Sequence, residues 1–173
     1  MWITFHKGIS NEDDLKQINA LDKAEYSDKY LLDIKEYKSR LRKNPDQIYV
    51  ARNSKRNIIA YTSLVPLKYK CYKRLKNGEV DKDVITPESI IAKDEKIENV
   101  YWDSIIVHPL YREQNIGERL SNYAIHDLVK SNPDLKRLLA HTISNGGLKV
   151  AKKHGLIKKR KLDNITIIVE KEY

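Results

Sequence analysis

The stretch VYWDSIIVHPLYREQNIGERL, Val100 to Leu120, limits the possible fold more than any other part of the chain. Apart from Asp103 and Ser104, its first eight residues are β-branched or aromatic, the composition of a strand. His108-Pro109 ends that run, because the residue before a proline is biased out of the helical region and proline cannot donate to a sheet. Ile116, Leu120, Tyr123 and Leu128 then recur at helical spacing. A strand feeding through a short loop into an amphipathic helix implies a sheet with helices packed on it.

The flanking sequence repeats the alternation. Ile3 and Phe5 alternate with Thr4 and His6 as a first strand, and Ser10 with Asp13 makes a capping-box-like start for a helix through Leu15, Ile18 and Leu21 to about Tyr26. Ser27 and Asp28 open a second helical pattern through Leu31, Ile34 and Leu41, which stops before Asn44-Pro45. QIYVAR and IIAYTSLVPLKYKCYK, joined by the polar NSKRN, read as a hairpin whose second strand is long, with Leu67, Tyr69 and Cys71 on one side. The charged segment from about 74 to 99 reads as an arm or lid, with a helix start at Thr86-Pro87. LKRLLAHTI is a further strand, GGLKVAKKHG a short helix closing at Gly155, and NITIIVEKEY a last strand or hairpin. The expectation is a single α/β (α+β) domain over residues 1–173, with one mixed central sheet of about six to seven strands flanked by helices.

Composition narrows the function. No apolar run approaches the roughly 18 residues of a membrane span, and the N-terminus lacks the features of a signal peptide, so a cytoplasmic protein is expected. One cysteine, Cys71, excludes an internal disulfide framework, and the five histidines show no paired short spacing, so no metal is expected. A formal net charge of +9 favours anionic partners: a phosphorylated small molecule, nucleic acid or an acidic surface. The basic clusters read as solvated faces, with RNA contact as the alternative. A homodimer through the last strands or the arm is left open.

The loop Arg112–Gly117 enters a helix N-terminus, where unpartnered amides and the helix dipole favour an anion, and Gly117 allows close backbone approach. Taken alone, these residues fit a phosphate loop or an ordinary strand-to-helix turn. Val107-His108-Pro109, Tyr111-Arg112 and Ile116-Gly117 with Leu120 resemble the central motif of the GCN5-related N-acetyltransferases (GNAT), and the order of elements resembles that family along essentially the whole chain. The resemblance implies acetyl-CoA as co-substrate. It implies pyrophosphate contacts from the backbone of Gln114, Asn115, Ile116, Gly117 and Glu118 with Arg112 nearby, and pantetheine contacts from the backbone of Ile105, Ile106 and Val107. Asn115 stands at the motif's first glycine. Asparagine is the non-glycine residue best suited to left-handed backbone, so the loop shape is expected to persist.

Acetylation of an amine needs a group to take its proton, and Asp103, an acid in an otherwise apolar strand, is the candidate base; the alternative is a salt-bridged or edge aspartate. By resemblance, an amide near Ile105 or Ile106 holds the oxyanion. The family's helix pattern Asn-x-x-Ala-x-x-x-Tyr-x-Lys-x-Gly-Phe, aligned on Gly155-Leu156, puts Ser144 at the asparagine and Ala151 at the tyrosine. One residue shorter, it puts Asn145 and Lys152 there. No phenol results, leaving His141, Tyr123, His154 and Tyr101 as substitute acids. The expected activity is acetyl transfer from acetyl-CoA directly to an amine of a small molecule, peptide or aminoacyl-tRNA, the acceptor lying against the second helix (Tyr30, Leu31, Tyr37) and the arm. The alternatives are a catalytically silent CoA-binding module and a basic RNA-binding protein.

Overall fold

The computed structural model describes residues 2–26 and 31–173. Strands β1 (Thr4–Lys7), β2 (Ile48–Arg52), β3 (Ile58–Pro66), β4 (Asn99–Val107), β5 (Arg137–Thr142), β6 (Ile157–Lys161) and β7 (Ile167–Glu172) form one sheet of seven strands in the order β1-β2-β3-β4-β5-β7-β6. Every pairing is antiparallel except β4 with β5, which are joined by a long helix. The expected mixed sheet with flanking helices is the observed one.

Helices α1 (Glu12–Glu25), α2 (Ile34–Lys43) and α3 (Tyr69–Lys76) cover one face, and α4 (Ile116–Ser131) and α5 (Asn145–Lys153) the other. Strand alternation sorts the core. Val100, Trp102, Leu138, Ala140 and Val169 pack beneath α4 and α5, while Tyr101, Leu139 and Ile168 pack beneath α3. α1 starts at Asn11, whose side chain accepts from Asp14 N, one residue after the expected Ser10. α2 starts behind a capping box of Asp33 and Glu36; the expected start at Ser27-Asp28 and the acceptor-side Tyr30 lie outside the described residues. Among the described residues, no helix is long and apolar enough to cross a membrane.

One expectation is corrected. The strand beginning at Ile58 ends at Pro66, and Tyr69–Lys76 is helix, not a strand extension. Cys71, Tyr72 and Leu75 form its buried stripe, while Tyr69 points outward. The segment therefore carries a helical period alongside its apparent alternation, and burying three residues against Val84, Ile85, Tyr101 and Ile168 decides between them. Cys71 donates to the carbonyl of Val84 from this helix, and burial pushes its thiol up, away from nucleophilic use.

The charged excursion after α3 folds back over the sheet. Val84, Ile85 and Ile90 are buried, Leu67 bridges Ile90, and the expected helix at Thr86 is a single 3-10 turn, Pro87–Ser89. At the far edge, β6 is exposed along its length, and Lys158, Lys159, Arg160 and Lys161 discourage pairing with another strand.

Candidate functional site

The site begins where the two parallel strands part. β4 and β5 pair from Asn99 with Arg137 to Trp102 with Ala140, after which β4 continues to Val107 beside β3 alone. At the parting point β4 also bulges: Ser104 pairs with Ser63 and Trp102 with Leu64, so Asp103 is an extra residue. Thr62 holds the irregularity in place. Its hydroxyl accepts from the Trp102 indole at 2.8 Å and donates to the Ser104 carbonyl at 2.8 Å.

Two cavities meet at this bulge. The larger, about 130 Å³, lies between the α1–α2 side and the folded-back excursion. The smaller, about 70 Å³, lies in the opening between β4 and β5, beside Ile105, Thr142, Ser144 and Ala151. Tyr26, Asp103, Ser104, His141 and Ile143 line both. A group in the strand opening and a group in the larger cavity would therefore meet beside Asp103.

Burial pushes the Asp103 carboxyl up, with the charge of Arg40 partly opposing it. Burial likewise raises Asp22 to about 6, despite hydrogen bonds from Tyr37 and Tyr61 that favour its charged form, and Asp103 adds to the rise. Tyr37 donates to one oxygen of Asp22 at 2.5 Å and Tyr61 to the other. The Nε2 of His141 lies 2.9 Å from the Leu75 carbonyl, which can only accept, so Nε2 carries the proton. Nδ1 is then the acceptor for the Tyr101 hydroxyl at 3.3 Å. Burial lowers the His141 pKa, so the ring is neutral and both nitrogens are engaged.

Asp22 carries a prediction about stability. Its folded pKa of about 6 exceeds the free value of 3.8, so between those values the folded chain holds a proton that the unfolded chain has released. Stability from this group is fully present below pH 3.8 and lost as pH rises through about 6, a change of roughly 3 kcal/mol. Asp22→Asn removes the titration. Urea unfolding of both proteins at mildly acidic and neutral pH is expected to show the variant gaining on wild type as pH rises; a constant difference would contradict the assignment.

The loop after β4 has an unusual backbone. A 3-10 turn at Pro109–Tyr111 leads to Glu113 and Asn115, both left-handed, with φ of 63° and 56°. Alternating left-handed residues turn successive amides toward one side, a nest suited to an anion. Asn115 is the N-cap of α4, and its side chain makes no capping bond. At Gly117 a methyl group would stand 3.2 Å from Val107 Cγ2 and 3.7 Å from Ile105 Cδ1, so the glycine lets the first turn of α4 lie against the end of β4. Arg112 donates to the Val107 carbonyl at 3.2 Å and pairs with Glu25. Glu118 pairs with Lys153, tying α4 to α5, and Ser144 caps α5 by accepting from Gly147 N at 3.0 Å; Asn145 follows as its first residue.

This splayed parallel pair, with a nest-like loop after its first strand, coincides with a match of residues 13–155 to the model of the acetyltransferase (GNAT) family. The chain belongs to the GNAT family. No curated protein matches it. Among solved structures, it resembles the NatC complex bound to Gag peptide and CoA (16% identity, TM-score 0.70, covering 100% of this chain and 99% of that one). It also resembles the loading GNATL domain of CurA from Lyngbya majuscula (12%, 0.71, 99% of this chain and 98% of that one). A third likeness is to a mosquito arylalkylamine N-acetyltransferase like 5b (14%, 0.65, 99% and 100%). At these identities the likeness shows the shared fold.

Within this GNAT chain the candidate residues divide. Asp103 and His141 stand together at the cavity junction, and Tyr101, bonded to His141, lines the larger cavity. Tyr123 does not join them: it lies 38% exposed on α4, stacked on Phe5 with centroids 6.0 Å apart and edge-on to Tyr49. His154 lies 2.9 Å from Ser121 Oγ and packs against Trp102, between α4 and α5. Ala151 lines the smaller cavity at the position aligned with the family's tyrosine. Among the described residues, no cluster of His, Cys, Asp and Glu is placed to hold a metal.

Asp22, Tyr26, Arg40, Tyr61 and Ser104 were not anticipated by sequence reasoning. Asp22 had a signal, since it follows Leu15 and Ile18 on the buried stripe of α1, where a carboxylate needs a reason. Leu32, not Leu31, lines the larger cavity with Tyr37.

Proposed function

We propose that the chain is an acetyl-CoA-dependent N-acetyltransferase that passes the acetyl group directly to an amine in a ternary complex. The observation that carries this is Asp103, a carboxylate raised by burial at the junction between the strand opening and the larger cavity. The nest and first turn of α4 bind the pyrophosphate of CoA through the backbone of residues 114–118, with Arg112 adding charge. The unpaired edge of β4 at Ile105–Val107 takes the pantetheine amides as a further strand would. The acetyl thioester then lies beside the bulge, facing the larger cavity.

An alkyl ammonium has a pKa near 10 and cannot attack. Asp103 takes one proton from it, directly or through water. The freed nitrogen pair forms the bond to the thioester carbonyl carbon, and a β4 amide near Ile105 or Ile106 stabilises the oxyanion. Collapse breaks the carbon–sulfur bond, its electron pair leaves with sulfur, and the second nitrogen proton goes to the thiolate. A thiol of pKa near 8.5 is a good enough leaving group for this route, which needs no phenol at Ala151. His141, with Nε2–H committed to Leu75, orients Tyr101 in this scheme rather than protonating sulfur.

Ala151 also suits a protein that binds CoA without turning it over. Thiol release from acetyl-CoA across an amine library separates the two: amine-dependent release supports the enzyme, and saturable CoA binding with no release above background supports the silent module. No saturable CoA binding would sink both and leave the basic surface as the function. Asn115→Gly is expected to bind acetyl-CoA as tightly as wild type, or up to about threefold more tightly, because glycine accepts the left-handed backbone without a Cβ. Calorimetric titration checks this, and a marked loss would mean that the Asn115 side chain itself contacts the ligand.

A further inference from the structure

The polar lining of the larger cavity gathers two carboxylates, Asp22 and Asp103, with two phenols, Tyr37 and Tyr61. Tyr37 and Tyr61 both spend their protons on Asp22, so their oxygens, 3.4 Å apart, are left with lone pairs only. Asp22 and Asp103 are themselves acceptors. Ser104 is 8% exposed, and its hydroxyl has no partner among the described residues, a buried polar group that a ligand would satisfy. Arg40 is the cation on this wall. A carboxylate held by two phenols, next to a second carboxylate, complements a group that brings several N–H donors and a positive charge.

The apolar lining is Leu32, Leu75, Val80, Ile85 and Ile143, with Asp81 beside Val80 on the excursion. The excursion supplies Val80, Asp81 and Ile85, and the β6–β7 connection supplies Thr166, leaving a space of about 130 Å³. For scale, a dry cavity of about 150 Å³ takes one benzene. A peptide N-terminus brings a chain that continues beyond a space of this size, and so does a long polyamine.

We propose, resting on the acetyl-transfer chemistry above, that the acceptor is a compact primary amine with a single ring or short branched alkyl body, and that Asp22, Tyr37 and Tyr61 hold its ammonium beside Asp103. The ammonium enters between the phenol oxygens and the two carboxylates, and the apolar body fills the space toward Ile85 and Val80. Asp22 acts by binding the cation; Asp103 takes the proton.

Thiol release from acetyl-CoA by the whole chain in mildly alkaline buffer tests this with phenethylamine, isopentylamine, spermidine, an N-terminal methionine peptide and an N-capped lysine peptide. The first two are expected to give kcat/KM at least about tenfold above the others. Asp22→Asn and, if that variant unfolds, Tyr37→Phe are expected to raise the amine KM about tenfold or more while leaving the acetyl-CoA KM unchanged. Ile85→Trp, narrowing the cavity from the aliphatic side, is expected to abolish turnover of phenethylamine without loss of CoA binding. Peptide turnover exceeding that of both compact amines, or an amine KM unmoved in the folded variants, would overturn the assigned acceptor class and leave acetyl transfer standing. No release with any amine would instead overturn the acetyltransferase proposal beneath it.

Discussion

Asp103→Asn is expected to lower kcat for amine acetylation by about 10²- to 10⁴-fold, the usual contribution of a positioned general base. Asparagine is nearly isosteric, so the bulge and its Thr62 bonds are retained and acetyl-CoA affinity is expected to stay within about twofold of wild type. Stability offers an independent check on the same side chain. Because burial raises the Asp103 pKa, its folding contribution is greatest in acid and is lost as pH rises through the folded value. At neutral pH the variant is therefore expected to unfold at no lower urea concentration than wild type. Wild-type kcat/KM should fall on an acid limb lying above the ordinary carboxylate range, and that limb should vanish in the variant. A variant with near-wild-type kcat would mean that Asp103 is a buried structural acid and that the amine loses its proton elsewhere.

Gly117→Val is the second large effect. A single methyl at this position already stands 3.2 Å from Val107 Cγ2, and a branched side chain adds two more carbons against Val107 and Ile105. Overpacking of this kind costs about 1–3 kcal/mol, and here it is relieved by lifting the first turn of α4 away from β4. That movement displaces the amides proposed to hold the pyrophosphate. Acetyl-CoA affinity is expected to weaken by about 10- to 100-fold, with the melting temperature falling by only a few degrees. Gly117→Ala should fall between the two, since its neighbour has to give by only a few tenths of an ångström. Unchanged affinity in the valine variant would remove the loop from the binding site.

The parts of the fold that could be read from the residues are those governed by short-range chemistry. The β4 run, the turn at His108-Pro109 and the α4 stripe each follow from composition and spacing, and the left-handed backbone of Asn115 follows from what asparagine tolerates. α3 was hidden because seven residues from Leu67 to Lys73 satisfy a strand period and a helix period at once, and only tertiary burial of Cys71, Tyr72 and Leu75 chooses. The parting of β4 from β5 and the bulge at Asp103 depend on register with distant strands, which no local pattern encodes. The Asp22 cluster was hidden for a similar reason: it joins α1 to Tyr37 on α2 and to Tyr61 on β3, 39 positions away. Asp103 stood out as an acid in an apolar strand, whereas the cavity proposed to give it a role is assembled from six elements, α1, α2, α3, β3, β4 and β5, and the connections between others.

A crystal structure of the protein with acetyl-CoA bears most directly on this account. The expected result is a pyrophosphate on the backbone amides of residues 114–118, a pantetheine arm along the unpaired edge of Ile105–Val107, and the thioester in the β4–β5 opening with Asp103 facing its carbonyl side. CoA bound elsewhere, or a sulfur remote from Asp103 with the opening between the strands unfilled, would contradict it.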